Sequence, residues 1–127
     1  MLFIAFAGFR GSRARETACR KCGARIASED DFLSVAGRPV RAAYVNPAGI
    51  RCQILTLAKA TNVAAALEST EEHTWFEGYA WSPAACASCG LHLGWRYEAA
   101  GPDLQPPSFY GLLAEALSRP GDPGRDM

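Results

Sequence analysis

Cys86-Ala87-Ser88-Cys89-Gly90-Leu91-His92-Leu93-Gly94-Trp95-Arg96-Tyr97 joins a metal-ligand pattern to a strand pattern without a break. Two cysteines spaced by two residues present two thiolates from one tight turn, and a glycine directly after them supplies the permissive backbone such turns need. From Leu91 onward apolar residues alternate with others. Leu91, Leu93, Trp95 and Tyr97 are predicted on one face of a strand, and His92, Gly94, Arg96 and Glu98 on the other.

The same knuckle occurs once more, as Cys19-Arg20-Lys21-Cys22-Gly23. Cys19, Cys22, Cys86 and Cys89 therefore predict one Zn2+ ion held by four thiolates. Four protein ligands leave no open position for substrate, so the zinc is expected to be structural rather than catalytic. It would tie the start of the domain to the strand bearing Trp95 and make metal binding part of the folding free energy. His92 is expected to pack near the site rather than to compete as a ligand. Cys52, in an apolar run, is expected to be a small buried hydrophobe.

With 127 residues the chain suits one domain. Its 49% hydrophobic content allows a real core, though one small enough to gain from a metal staple. Thirteen basic and 13 acidic residues give zero formal charge, which argues against a nucleic-acid partner. Five cysteines, an odd number, fit a metal site in a reducing, cytoplasmic setting better than a disulfide scaffold. The apolar residues 1–9 are too short to span a bilayer and lack a basic start, so no membrane role is expected. The reading divides the chain into an N-terminal tail (1–16), a zinc-binding domain (17–118) and a disordered C-terminal tail (119–127).

Between the knuckles, Asn46-Pro47-Ala48-Gly49 is a turn signal leading into a strand over residues 50–57, so a hairpin is predicted there. Residues 63–67, rich in alanine, predict a turn of helix, and residues 71–74 a loop. Trp75 to Trp81 reads as strand, turn, strand, with Gly78 at the bend. Ser82-Pro83 is expected to reset the chain before the second knuckle. Residues 109–117 fit a helical period with Ser108 as cap, weakened by Gly111.

All three tryptophans, Trp75, Trp81 and Trp95, lie between and just after these features. Buried indoles need partners for their N–H groups, so three close together suggest the walls of a pocket rather than simple core. The run Glu72-His73-Thr74-Trp75-Phe76-Glu77-Gly78-Tyr79-Ala80-Trp81, followed by the second knuckle and Gly90-Leu91-His92-Leu93-Gly94-Trp95, closely resembles the CULT family, the thalidomide-binding domains of cereblon. The likeness covers residues 17–117 and includes the Asn46-Pro47 turn and Phe109-Tyr110-Gly111-Leu112. The chain looks like a free-standing, bacterial-type member, without the Lon-like and ubiquitin-ligase adaptor regions.

The resemblance implies a mainly β fold of two antiparallel sheets pinned at zinc (β-tent-like), even over residues 109–117. It implies a non-catalytic domain that binds cyclic imides: glutarimides, succinimides, uracil-like rings or C-terminal cyclic imides of proteins. Trp75, Trp81 and Trp95 would be the cage walls and Tyr97 the base, where vertebrate members have phenylalanine. His73 would offer its carbonyl to the imide N–H and its side chain to one imide oxygen, the Trp75 N–H would meet the other oxygen, and Asn46 and Pro47 would lie at the rim. Ala48 stands where vertebrate members carry histidine. Competing functions are a methionine-sulfoxide-reductase-like enzyme, an imide hydrolase, and an RNA- or protein-interaction module. The first needs a cysteine after Cys89, which the chain lacks. The second lacks a nucleophile beside His73, and the third lacks a basic stripe.

Overall fold

A computed structural model describes residues 15–118. The expectations for the apolar start and for residues 119–127 lie outside the described residues. Among the described residues, nine strands form two antiparallel sheets, as the resemblance implied. β1 (Glu16–Cys19), β2 (Arg25–Ser28) and β9 (Leu117–Ser118) make a small sheet in the order β2-β1-β9. The large sheet has the order β3-β4-β8-β7-β6-β5. Its strands are β3 (Arg41–Val45), β4 (Arg51–Leu57), β5 (Val63–Ala65), β6 (Tyr79–Cys86), β7 (His92–Ala99) and β8 (Ser108–Leu113).

Local chemistry explains most of these elements. At the β3–β4 turn the Asn46 side-chain oxygen accepts from the N–H groups of Ala48 and Ile50, each at 2.9 Å, closing the predicted hairpin. Ser28 caps a 3-10 turn at residues 29–31 through a reciprocal capping box with Asp31.

Apolar side chains sort into two clusters. Ile26, Leu55, Leu57, Leu93, Leu112 and Leu117 pack around the cysteines on the metal side. Val35, Phe76, Tyr79, Tyr97 and Phe109 form an aromatic cluster beneath the tryptophans. Tyr97 and Phe109 stack at 4.8 Å, and Phe76 meets both rings edge-on at 5.0 Å.

Several expectations are corrected. Residues 63–67 do not turn helically: Val63–Ala65 pairs with Cys86, Ala85 and Ala84, and the neighbouring strand imposes its conformation on a segment of weak preference. Trp75 and Phe76 are not strand. The Thr74 hydroxyl accepts from the Phe76 N–H and donates to the Phe76 carbonyl, drawing that backbone into a tight turn. Ser82-Pro83 does not break the chain, because β6 runs straight through it. The N–H and C=O of a strand residue point the same way, and the Pro83 carbonyl accepts from Ala66 beyond the end of β5, so the missing proline N–H costs one bond at that edge and none of the pairing with β7.

Alternation in β7 fails at one place. Ala84 pairs with Gly94 and Ala85 with His92, leaving Leu93 as the extra residue of a bulge. Leu93 therefore joins the metal-side cluster while Trp95 and Tyr97 serve the aromatic side. Residues 108–113 form a strand followed by a 3-10 turn at 114–116, so the helical period there misleads and Ser108 caps nothing. Partners on both sides, β4 and β7, hold that segment extended. Cys52 is half-buried, opposite Tyr44 on the outer β3–β4 pair, rather than buried.

Candidate functional site

Both knuckles are hairpin turns, one between β1 and β2 and the other between β6 and β7. Their backbones repeat each other. Gly23 N–H donates to the Cys19 carbonyl and Gly90 N–H to the Cys86 carbonyl, both at 2.8 Å, and each glycine has φ +83°. Only glycine takes that conformation without strain.

The four sulfurs lie within 4.8 Å of one another. Cys19 Sγ is 3.5 Å from Cys89 Sγ, and Cys22 Sγ is 3.6 Å from Cys86 Sγ. Disulfides would need about 2.05 Å. Tetrahedral zinc with bonds of about 2.3 Å separates its sulfurs by about 3.8 Å, so the donor set fits zinc.

The thiols' acidities describe the same arrangement. Burial pushes the Cys86 thiol up, but the N–H groups of Cys89 and Ser88 together with bonds from the Cys22 and Cys89 thiols outweigh it and bring it to about 7. Cys89 receives a favourable N–H from Leu91, yet burial and the other three sulfurs drive it to about 11. Crowded thiolates cannot all ionise without a cation among them. The Asn62 side-chain amide donates to Cys86 Sγ at 3.3 Å and to the Ser88 hydroxyl at 3.0 Å, bracing the second knuckle. Sequence reading missed Asn62; a lone asparagine after a strand reads only as a turn residue. His92 is exposed and outside the sulfur cluster, edge-on to Trp95 at 5.1 Å.

On the other side of the large sheet a pocket of about 220 Å³ is lined by Asn46, Pro47, His73, Trp75, Trp81, Trp95 and Tyr97. All seven residues singled out from the sequence thus converge there, from the β3–β4 hairpin, the 66–78 connection, β6 and β7. Trp75 and Trp95 meet edge-to-face at 5.2 Å, at an angle of 82°. The indole N–H of Trp75 donates to the Val45 carbonyl at 2.9 Å, and that of Trp81 to the Glu72 carbonyl at 2.8 Å. Backbone carbonyls thus satisfy the indole edges and fix the rings. His73 sits in the left-handed region at φ +60°, a strained conformation for a non-glycine residue. Among the described residues, the Trp75 N–H and the His73 carbonyl make no hydrogen bond. Tyr97 closes the floor at 2% exposure; burial raises its phenol well above the usual 10.

A family model described as "Yippee zinc-binding/DNA-binding/Mis18, centromere assembly" matches residues 16–119. Zebrafish (Danio rerio) protein cereblon is 39% identical over 106 residues, which are 83% of this chain and 25% of that protein. The chicken (Gallus gallus) protein cereblon is 39% identical over 100 residues, 78% of this chain and 22% of that protein. That of Drosophila pseudoobscura pseudoobscura is 31% identical over 101 residues, 78% and 16% respectively. The chain spans about a quarter or less of the length of these relatives. Among the described residues no helix is long and apolar enough to cross a membrane.

Proposed function

We propose, from the premise that this chain belongs to the Yippee/Mis18 zinc-binding family and is a cereblon-family zinc-binding domain, that its tryptophan pocket binds cyclic imides. It is a binding domain, not an enzyme. Cys19, Cys22, Cys86 and Cys89 would hold the zinc, which would supply structure by fixing both knuckles and would have no open position left for substrate. The pocket's residues do the recognition.

The observation that carries this reading is the pairing of one unengaged carbonyl with one unengaged N–H at the edge of an indole-walled cavity. A cyclic imide presents an acceptor–donor–acceptor edge on an apolar ring. Its N–H suits the His73 carbonyl, one oxygen suits the Trp75 N–H, and the His73 side chain serves the second oxygen. The faces of Trp75, Trp81 and Trp95 take the ring body, with Tyr97 beneath and Asn46 and Pro47 at the rim. His73 and its near neighbour Trp75 both line the cavity, and the left-handed His73 backbone sets the geometry of that turn before a ligand arrives, which lowers the ordering cost of binding. A volume of about 220 Å³ suits a single ring, below the roughly 300–1,000 Å³ of sites for drug-sized molecules. Glutarimide, succinimide and uracil-like rings, and imides at a protein C-terminus, share that chemistry.

Calorimetric titration with glutarimide tests the reading. A ring this small supports about −5 to −7 kcal/mol, which is a micromolar dissociation constant. N-methylglutarimide, lacking the donor, should bind at least about tenfold more weakly. Trp81→Ala should abolish binding while zinc content and the amide NMR shifts of the two knuckles stay as in the wild type. Equal binding of the methylated ring, or normal binding by Trp81→Ala, would refute the assignment. Mass spectrometry of the recovered imide should show no ring opening.

A further inference from the structure

We infer that Arg38, which lies outside the pocket lining, is the positioning residue that locks the Trp75 wall. The inference rests on the imide-binding reading for its functional consequence, but its geometry stands alone. Arg38 Nη1 donates to the Trp75 carbonyl at 2.6 Å. The same guanidinium lies 4.8 Å from the centre of the Phe76 ring and 5.5 Å from that of Tyr44. Tyr44 in turn stacks on Trp75 at 5.3 Å, with 27° between the planes. One cation therefore joins the backbone of the wall residue, the ring behind it and the ring beside it.

Arg38 is itself held. Its N–H donates to the Val35 carbonyl at 3.0 Å, and its own carbonyl accepts from the Ser34 hydroxyl at 2.6 Å. Val35 belongs to the buried aromatic-side cluster. Among the described residues no carboxylate pairs with Arg38. Its charge is met by a carbonyl and two ring faces, the arrangement in which a planar guanidinium outperforms lysine.

The segment it steadies needs steadying. Residues 71–75 carry the strained His73, and besides the ring contacts of Trp75 with Tyr44 and Trp95 the segment is tied by few long-range side-chain hydrogen bonds: Trp75 Nε1 to Val45, Trp81 Nε1 to Glu72, and Arg38 to the Trp75 carbonyl. An imide must meet the His73 carbonyl and Trp75 N–H together, and sites of this kind tolerate only about 0.5 Å of misplacement. Removing Arg38 frees the Trp75 carbonyl, releases Tyr44 and Phe76 from their cation, and lets the strained turn relax. The metal end, built from other residues, stays as it was.

Hydrogen exchange by NMR on Arg38→Ala, with its zinc bound, tests the lock directly. The Trp75 indole N–H should exchange at least tenfold faster, while the Gly90 and Cys86 amides in the second knuckle keep wild-type rates. Titration with glutarimide should show affinity reduced about tenfold, at a temperature well below melting. Arg38→Lys should recover only part of the loss, and Arg38→Gln, which keeps a donor without the charge, provides the same readout should the alanine variant not fold. Unchanged Trp75 exchange, unchanged affinity, or knuckle amides accelerating in step with Trp75 would each overturn the proposal. Failure of the wild type to bind glutarimide would strike the imide reading alone, since the exchange measurement would still decide the lock.

Discussion

At the metal end of the β6–β7 hairpin, every ligand comes from a four-residue turn, and the two turns are copies of each other down to their glycine φ angles. At the pocket end, each wall comes from a different segment: the β3–β4 turn, the 66–78 connection, β6 and β7. One end is a local motif used twice and closed by an ion. The other is an assembly of distant pieces, held by indole N–H bonds to carbonyls, stacked rings and one arginine. The first depends on a metal and the second on packing precision. Because β6 and β7 run through both, the metal end carries the pocket and not the reverse.

Metal removal should have the largest effect. Structural zinc contributes on the order of 10 kcal/mol in small domains, about as much as a whole domain's stability. Incubation with a strong chelator, or Cys86→Ser, should therefore abolish the near-UV circular dichroism of both ends together, with imide binding lost in parallel. A metal-free protein that kept its aromatic signal would break the asymmetry, since the pocket would then stand without the knuckles.

Gly94→Ala should come next, because Gly94 is the joint between the two ends. It sits at the β7 bulge with φ +148°, and a Cβ there would lie 2.3 Å from the Gly111 carbonyl oxygen and 2.7 Å from Leu112 Cα. Both are backbone atoms of the paired strand, so nothing yields cheaply. A destabilisation of about 3 kcal/mol is expected in urea unfolding, with zinc still bound. A loss below about 1 kcal/mol would mean that β7 and β8 can separate without harm, and that the ends are less tightly coupled than the bulge suggests.

What could be read in the sequence follows the same division. Cys19, Cys22, Cys86 and Cys89 declare themselves by spacing, because a knuckle is a local object. The β3–β4 hairpin was equally plain, since Asn46-Pro47-Ala48-Gly49 contains its own turn chemistry. The three tryptophans suggest pocket walls by their closeness alone, but Asn46, Pro47, His73 and Tyr97 join them only through family resemblance, because no spacing links Asn46 to Trp95. Where reasoning failed, long-range pairing had overridden local preference. Alanines at 64 and 65 became strand against Ala84 and Ala85, and a helical period at 109–117 was held extended between β4 and β7. Pro83 looked like a break only because its orientation toward the short side of β5 is invisible in one dimension. Arg38 and Asn62 left no signal, because each acts on a residue distant in sequence.

The smallest of these effects sharpens the contrast through pH. The metal end is vulnerable to acid, since its ligands must stay deprotonated. The pocket end is vulnerable to base through Tyr97. Burial raises that phenol, the neighbouring Tyr44 raises it further, and the Arg38 cation offsets part of the shift. The folded state thus prefers the neutral phenol, while in the unfolded chain the phenol ionises near pH 10. Its contribution is complete below pH 10 and is lost as pH rises beyond it, by about 1.4 kcal/mol per pH unit. Urea unfolding at pH 8 and pH 11 should show this loss in the wild type. Tyr97→Phe should remove about 1.4 kcal/mol of it at pH 11. Tyr79, also raised by burial and bonded to the Pro106 carbonyl at 2.7 Å, retains a share in both proteins. If the two proteins instead lose stability in parallel, the Tyr97 hydroxyl already meets water. The floor of the pocket would then be open, and the ring body of a ligand would lose the dry surface on which its affinity depends.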